Sequence, residues 1–307
     1  MQNPHKLRIA TRQSMLALWQ ANYVKQELQH RVPNLEIELV PMTTQGDIHL
    51  STRLQNIGGK GLFVKELETA LLEDRADIAV HSIKDMPMDF SPDMCLAAIC
   101  ERADPRDAFV SNQYLSVAEL PANAVVGTSS LRRQCQLYAM RPDIHVEPLR
   151  GNVDSRLKKI NEGTFAAIVL AAAGIHRLQA AQQIKQYLTT DELLPAIGQG
   201  AIGIECREND AITRSIVKVL NHEPTAACVT AERAMGRWLG AGCHVPVAAY
   251  ATLENNRLRL QGLVGTPDGK KILRNSIEGP ITEIEKLGIS LAESLLAQGA
   301  GELLKQQ

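Results

Sequence analysis

Two stretches of the chain, 7–83 and 124–172, each read as strand, helix, strand, helix, strand, and that repeated order narrows the possible folds sharply. In the first, 7–11 (LRIAT) has the look of a buried strand, and Ser14 stands where a cap would begin a helix whose Ala17, Ala21, Val24 and Leu28 share one face. Residues 35–42 alternate as a strand, 63–75 is helical with Phe63, Leu67, Ala70 and Leu71 inward, and 76–83 (ADIAVHSI) is again a buried strand. In the second, 124–127, 144–149 and 166–172 read as strands, with helices at 129–140 and 153–160 and another short helix following. Such interleaving predicts parallel sheets covered by helices, with ligands bound beyond the carboxyl ends of the strands.

Between the repeats the pattern breaks in informative places. Residues 43–61 (TTQGDIHLSTRLQNIGGKG) show neither period, the mark of a lid or a disordered loop. Their GGKG is no phosphate loop, because Leu54 occupies the position of the required earlier glycine and Gly61 that of the Ser or Thr after the lysine. The charged segment 102–107 (RADPRD) reads as a hinge into a second domain, and 194–207 (LPAIGQGAIGIECR) as a return toward the first. From His222 the order changes to a helix at 225–239, strands around turns at 254–256 and 266–269, and a closing helix. The expected fold is therefore α/β, with domain 1 from 1–101 and 200–218, domain 2 from 106–194, and a small α+β C-terminal domain with an antiparallel sheet from 222–307.

Charge excludes several functions. The 307 residues carry 33 Lys plus Arg against 34 Asp plus Glu, a net charge of -1, so no general field attracts nucleic acid or membrane, and 4% aromatic residues argue against base stacking. The N-terminal sequence lacks a secretory apolar region and the longest apolar run, 165–175, is too short to cross a bilayer, which makes cytoplasm the expected compartment. Six cysteines without CxxC or zinc spacing give no metal site, and scattered cysteines in a reducing compartment are mostly small buried hydrophobes. Cys243 departs from that background: it lies in LGAGCHVP, between a helix and a sheet, among small residues.

Several strand ends carry chemistry. Arg12-Gln13-Ser14 closes the opening strand, where helix amides favour an anion. In the segment 129–133 (SSLRR), Arg132 and Arg133 occupy a first helical turn, oppose the helix dipole, and so require a bound anion or an acidic neighbour. Lys84 and Asp85 follow the buried strand 76–83; a carboxylate there suits acid-base work, and its plainer reading is a turn residue paired with Lys84. Arg150, Arg156 and Arg177 stand at further junctions, and their planar forks match carboxylates. Any one arginine is ordinary on a surface; the repetition at strand ends is the signal.

The segments IATRQS (9–14), GGKGLFVKELE (58–68), ADIAVHSIKDMP (76–87), VGTSSLRRQ (126–134), LRGNV (149–153), GQGAIGIE (198–205) and AGCHVP, in this order and spacing, resemble the porphobilinogen deaminase (hydroxymethylbilane synthase) family over essentially the whole chain. The resemblance implies two periplasmic-binding-protein-like (type II) α/β domains around a cleft, plus the small third domain. It implies a transferase of porphyrin and heme biosynthesis that releases ammonia while joining four porphobilinogen molecules into the linear tetrapyrrole hydroxymethylbilane. Cys243 would hold one dipyrromethane cofactor per chain through a thioether, and Gly240, Ala241 and Gly242 would leave room for it. Asp85 would be catalytic, and Lys84, Asp85, Ser129, Arg132 and Arg133 would bind the cofactor. Arg12, Ser14, Lys60, Arg150, Arg156, Arg177 and Gln199 would bind porphobilinogen and the growing polypyrrole, in a monomer without nucleic-acid or membrane partners. The family pattern has glycine and glutamine where Ala241 and His244 stand, proline at Met15 and threonine at Ser155. The rival reading, a non-catalytic small-anion-binding protein, explains the arginines but not the third domain that presents Cys243.

Overall fold

The first strand, β1 (Lys6–Arg12), leads to Ser14, whose side chain accepts from the Ala17 N–H at 3.3 Å and caps α1 (Met15–Arg31). This helix buries Ala17, Gln20, Ala21, Val24 and Leu28, the spacing of one helical face, and ends just before Pro33, which cannot continue the ladder. β2 (Glu36–Met42), the short α2 (Gln45–Ile48), α3 (Lys65–Leu72), β3 (Ile78–Ser82) and β4 (Met94–Ile99) follow. The computed structural model describes residues 6–48, 63–242 and 245–305.

The next run comprises β5 (Asp107–Val110), β6 (Val125–Gly127), α4 (Leu131–Met140), β7 (His145–Glu147), α5 (Val153–Asn161), β8 (Ala167–Ala171), α6 (Ala172–Arg177) and β9 (Ile184–Leu188). β10 (Ile202–Arg207) and α7 (Ala211–Val217) come next. The chain ends with α8 (Glu223–Trp238), β11 (Val247–Glu254), β12 (Arg257–Gly265), β13 (Ile272–Pro280), α9 (Ile284–Ala297) and α10 (Ala300–Lys305). Two compact units result: Met1–Arg102 with Ala201–Ala226, and Ala103–Gly200 with Ala227–Gln307.

Within each unit the sheet corrects the expectation of purely parallel strands. The first has the order β2-β1-β3-β10-β4, with β1 parallel to β2 and β3 but β10 antiparallel to both β3 and β4. The second has the order β7-β6-β8-β5-β9, with β6 parallel to β7 and β8 but β5 antiparallel to β8 and β9. In each case three parallel strands come from the α/β repeat, and the antiparallel strand is the one that enters from or returns after the other unit. Periodicity marks a segment as a strand but carries no direction, so this insertion could not be read from the pattern.

Both sheets are buried on two faces. In the first unit Leu7, Ile9, Ile37, Val80 and Ile204 join Val24 and Leu28 of α1 in one core, while Ala10 and Ala79 meet Leu67 and Leu71 of α3 in another. In the second, Val110, Ile168 and Leu170 pack with Leu157 and Ile160, and Phe109, Val126 and Val169 with Leu137 and Ile144. The C-terminal strands form an antiparallel sheet in the order β11-β12-β13, its first hairpin turning through Asn255 and Asn256 at φ 49° and 58°. This sheet joins the second unit through Leu194 packed on Ala248 and Leu263, and through buried Glu232, which accepts from the N–H groups of Gly198 (2.7 Å) and Ala251 (2.9 Å). Two helices, α9 and α10, stand where one closing helix was expected, divided near Gly299 with φ 98°. Among the described residues no helix is long and apolar enough to cross a membrane.

Candidate active site

In the first unit the expected residues collect at the carboxyl ends of β1 and β3. β3 runs directly into a 3-10 turn, Ile83–Asp85, closed by Met86 N–H to Ile83 O at 3.1 Å. Ile83 and Met86 are buried and fasten the turn, Lys84 is half-buried, and Asp85 is exposed. Gly203 of β10 makes the seat for Ile83: a Cβ there would overlap Ile83 Cδ1 and lie 2.8 Å from Leu96 Cδ1. Gln20 of α1 donates to Ser82 Oγ at 2.8 Å just upstream. The apolar anchors and this hydrogen bond fix the backbone that presents Asp85 to solvent.

Arg12 is already engaged. Its guanidinium donates to both carboxylate oxygens of Asp47, with Nε to Oδ2 at 3.1 Å, and lies 4.2 Å from the centre of the Phe63 ring. Burial works against the ionised form of Asp47, but Arg12 and the Thr44 hydroxyl, 2.8 Å from Oδ2, outweigh it and hold the carboxyl below its usual range. Ser14 serves as the α1 cap described above. Asp47 was not anticipated from the sequence, since it falls inside the aperiodic segment.

Behind β3 lies a second polar group that sequence reading missed. His81 Nε2 and Glu205 Oε2 are 2.9 Å apart, both side chains at or below 5% exposure, linking β3 to β10. Nearby Glu68 of α3 is raised above the usual carboxylate range by burial, and the Glu205 charge adds to the effect. Glu205 comes from the inserted β10, 124 residues away in sequence, so the run 76–83 read alone gives no sign of this pairing.

In the second unit the parallel strands β6, β7 and β8 point one way, and their carboxyl ends carry most of the predicted cations. Ser129 Oγ donates to Leu149 O at 2.9 Å, tying the loops after β6 and β7. Ser130 caps α4 and accepts from Arg133 N. The half-buried Arg150 precedes Gly151, whose carbonyl accepts from Arg156 Nε at 2.6 Å, and buried Arg177 donates to Gly200 O at 2.7 Å.

Arg132 and Arg133 have their acidic neighbour inside the protein. Asp107, the first residue of β5 and fully buried, receives Arg132 Nη1 on one oxygen at 2.8 Å and Arg133 Nη2 on the other at 2.7 Å. Gln199 Nε2 adds a bond to Asp107 at 3.1 Å and another to Pro105 O at 2.7 Å, so Gln199 supports the cluster. Burial alone would raise the Asp107 pKa, but the two arginines override it and hold the carboxyl at about 2. Two guanidiniums on one carboxylate leave a positive surplus, and Arg132 Nε has no hydrogen-bond partner among the described residues. Asp107 was legible only as the end of RADPRD; an aspartate opening the apolar run AFV was the available signal.

Lys60 and Cys243 lie outside the described residues, as does His244. The neighbours of Cys243 nevertheless fit a bulky adduct: a Cβ built on Gly240 or Gly242 meets nothing within 4 Å. α8 ends at Trp238 and β11 begins at Val247, so the loop has elements packed in the second unit on both sides.

Two sheets of matching strand order, with arginines gathered at the carboxyl ends of parallel strands and a three-stranded sheet appended, define a two-unit α/β protein. Residues 7–215 match the family described as "Porphobilinogen deaminase, dipyromethane cofactor binding domain", and 226–297 match "Porphobilinogen deaminase, C-terminal domain". The chain belongs to the porphobilinogen deaminase family, transferases of tetrapyrrole synthesis that use a dipyrromethane cofactor.

Solved structures give a looser likeness. A YaeC-family lipoprotein from Enterococcus faecalis is 13% identical, with a TM-score of 0.44 over 71% of this chain and 91% of that one. A putative methionine-binding lipoprotein from Bacillus subtilis is 11% identical, with a TM-score of 0.46 over 72% and 92%. The periplasmic aliphatic sulphonate binding protein SsuA of Escherichia coli is 14% identical, with a TM-score of 0.40 over 78% and 76%. The family assignment rests on the sequence matches and not on these superpositions.

Proposed function

We propose that the chain is the ammonia-releasing hydroxymethylbilane synthase of its family, a cytoplasmic monomer that deaminates and joins four porphobilinogen molecules head to tail. The observation that carries this reading is Asp85, exposed at the end of a rigidly seated strand, in a chain matched across both family segments. Cys243 holds the dipyrromethane by a thioether, a bond that a thiolate forms readily with an electron-poor methylene carbon. The bound cofactor supplies the pyrrole on which the first condensation takes place.

The protein's own groups do the rest. Asp85 faces pyrrole N–H groups and opposes the positive charge that develops on porphobilinogen as ammonia leaves, where a fixed carboxylate has most effect. Lys84, Ser129, Arg132 and Arg133 hold cofactor carboxylates; for the two arginines, the surplus charge left beside Asp107 supports the role. Arg12, Ser14, Arg150, Arg156, Arg177 and Gln199 take the acetate and propionate groups of substrate and lengthening product, and Lys60 acts from the segment before α3. Residues 222–307 serve as the domain that carries the cofactor.

Intact mass and turnover test the assignment together. The purified chain should carry one dipyrromethane and release ammonia from porphobilinogen, and Cys243→Ala should fold, carry no adduct and make little tetrapyrrole. Unmodified chain from an active preparation would sink the cofactor assignment, whereas binding of porphobilinogen without ammonia release would favour the non-catalytic anion-binding reading.

A further inference from the structure

Cys95 in β4 and Cys206 in β10 occupy facing positions of an antiparallel pair, with their Sγ atoms 3.7 Å apart although the residues are separated by 111 in sequence. That separation hides them from any search for cysteine spacing. Directly opposed residues of antiparallel strands have Cα atoms roughly 4.5–5.5 Å apart, inside the span of about 4.4–6.8 Å that a disulfide accepts. Side-chain rotation can therefore bring the sulfurs to bonding distance within the existing register.

The two thiols are unequal. Cys206 is fully buried among Ile204, Val217 and Leu220, while Cys95 lies at the edge of the same cluster and is partly exposed. A hydrogen bond from the Cys206 thiol lowers the Cys95 pKa, outweighing burial and the neighbouring Glu208 carboxylate, both of which act to raise it, with Arg214 adding a smaller lowering effect. Cys206 is pushed up by the same contact and by burial. The exposed sulfur is thus the better nucleophile, with a second thiol stationed beside it.

We propose that Cys95 and Cys206 are a redox site that reduces a small peroxide and closes as a disulfide joining β4 to β10. The Cys95 thiolate attacks one peroxide oxygen, the O–O bond breaks, and Cys95 becomes a sulfenic acid while the leaving hydroxide takes a proton to form water. Cys206 then attacks the Cys95 sulfur; the S–S bond forms, the S–O bond breaks, and the departing hydroxide leaves as water with the Cys206 proton. Two thiols and one hydrogen peroxide give one disulfide and two waters, the two electrons passing from sulfur to oxygen. A bulkier oxidant suits the site less, because Cys95 is only partly accessible. The proposed tetrapyrrole chemistry uses neither residue.

The full-length protein treated with hydrogen peroxide, blocked and digested without reductant should yield a Cys95–Cys206 linked peptide lighter by two hydrogen atoms, and dithiothreitol should reverse it. Cys206→Ser should stop Cys95 at a sulfenic acid captured by dimedone, and Cys95→Ser should leave Cys206 unoxidised; Cys206→Ala serves in place of an unstable serine variant. The proposal is overturned if peroxide carries native Cys95 to a sulfinic acid without linkage, if both thiols survive peroxide, or if the link forms only in unfolded chain. Because the readout is a peptide linkage, it is independent of cofactor loading and of tetrapyrrole synthesis.

Discussion

Replacing Asp107 with asparagine removes the carboxylate shared by two buried guanidiniums without changing side-chain shape, and its cost can be worked from the cluster. Asp107 is 0% exposed, Arg132 is 4% and Arg133 is 5%, and the contacts are 2.8 and 2.7 Å, so water cannot screen the charge left behind. Removing one partner of a buried ion pair typically costs about 3–5 kcal/mol. The asparagine amide keeps one acceptor but turns donors toward guanidinium donors, which places Asp107→Asn within that range. The low pKa of the carboxyl leads to the magnitude by a second route. The folded pKa of about 2 lies below the ordinary 3.8, so this contribution is fully present above 3.8 and is lost as pH falls through about 2. That shift corresponds to about 2 kcal/mol, less than the mutation because the burial penalty has already been subtracted from it.

Urea unfolding, with hydrogen exchange of β5 and α4 amides as the local probe, should show Asp107→Asn weakened by about 3–5 kcal/mol at neutral pH. Much of the difference from the unmodified protein should vanish near pH 2, where the Asp107 carboxyl takes up a proton and, like asparagine, carries no charge. Exchanging the whole cluster for apolar groups, Asp107→Leu with Arg132→Met and Arg133→Met, should restore most of the lost stability because no charge remains buried. A loss below about 1 kcal/mol in Asp107→Asn, or a triple variant no more stable than the single one, would refute the charge-compensation argument.

Other outcomes follow from the same geometry. Asp85→Asn should lower turnover by at least about 100-fold while leaving the melting temperature near its starting value, since the side chain is exposed and its turn is held by Ile83 and Met86; near-normal turnover in a cofactor-bearing variant would return Asp85 to a turn role. Substitutions at Arg150, Arg156 and Arg177 should each shift which covalent intermediate accumulates with porphobilinogen, as read by mass spectrometry, with Arg→Lys milder than Arg→Leu because lysine lacks the bidentate fork; one common distribution, merely slower, would argue for uniform attraction instead. Glu232→Ala should destabilise more than Glu232→Gln in urea, because alanine abandons the buried N–H groups of Gly198 and Ala251 while glutamine still offers one oxygen; equal losses would mean that the carboxylate charge, not its acceptors, matters.

Local order was legible wherever one face or one strand decided it. α1 follows its predicted apolar face from the Ser14 cap, β3 lies within the run 76–83, and the arginines of SSLRR do begin a helix. What the pattern concealed was pairing across distance. β4, β5 and β9 lie in segments without a distinctive period, and no local preference tells β10 to enter between β3 and β4. The same blindness hid the partners at the candidate site: Asp47 for Arg12, Glu205 for His81, and Asp107 for Arg132 and Arg133. Sequence can state that a buried charge needs a counter-ion; only tertiary structure can say which residue answers.

The inserted strands also bear on the timing of synthesis. When β4 leaves the ribosome, the neighbour it will hydrogen-bond lies more than a hundred residues behind it in the chain, because β10 stands between it and β3. The first sheet must wait, with an open edge on each side of the gap, while every strand of the second sheet emerges by Leu188. At about 5–20 residues per second that interval lasts several seconds or more, long compared with the folding of ordinary domains. The second sheet can thus be complete before the first is closed, and a nascent chain stalled between 100 and 200 would expose the edges of β3 and β4 to chaperones or to aggregation.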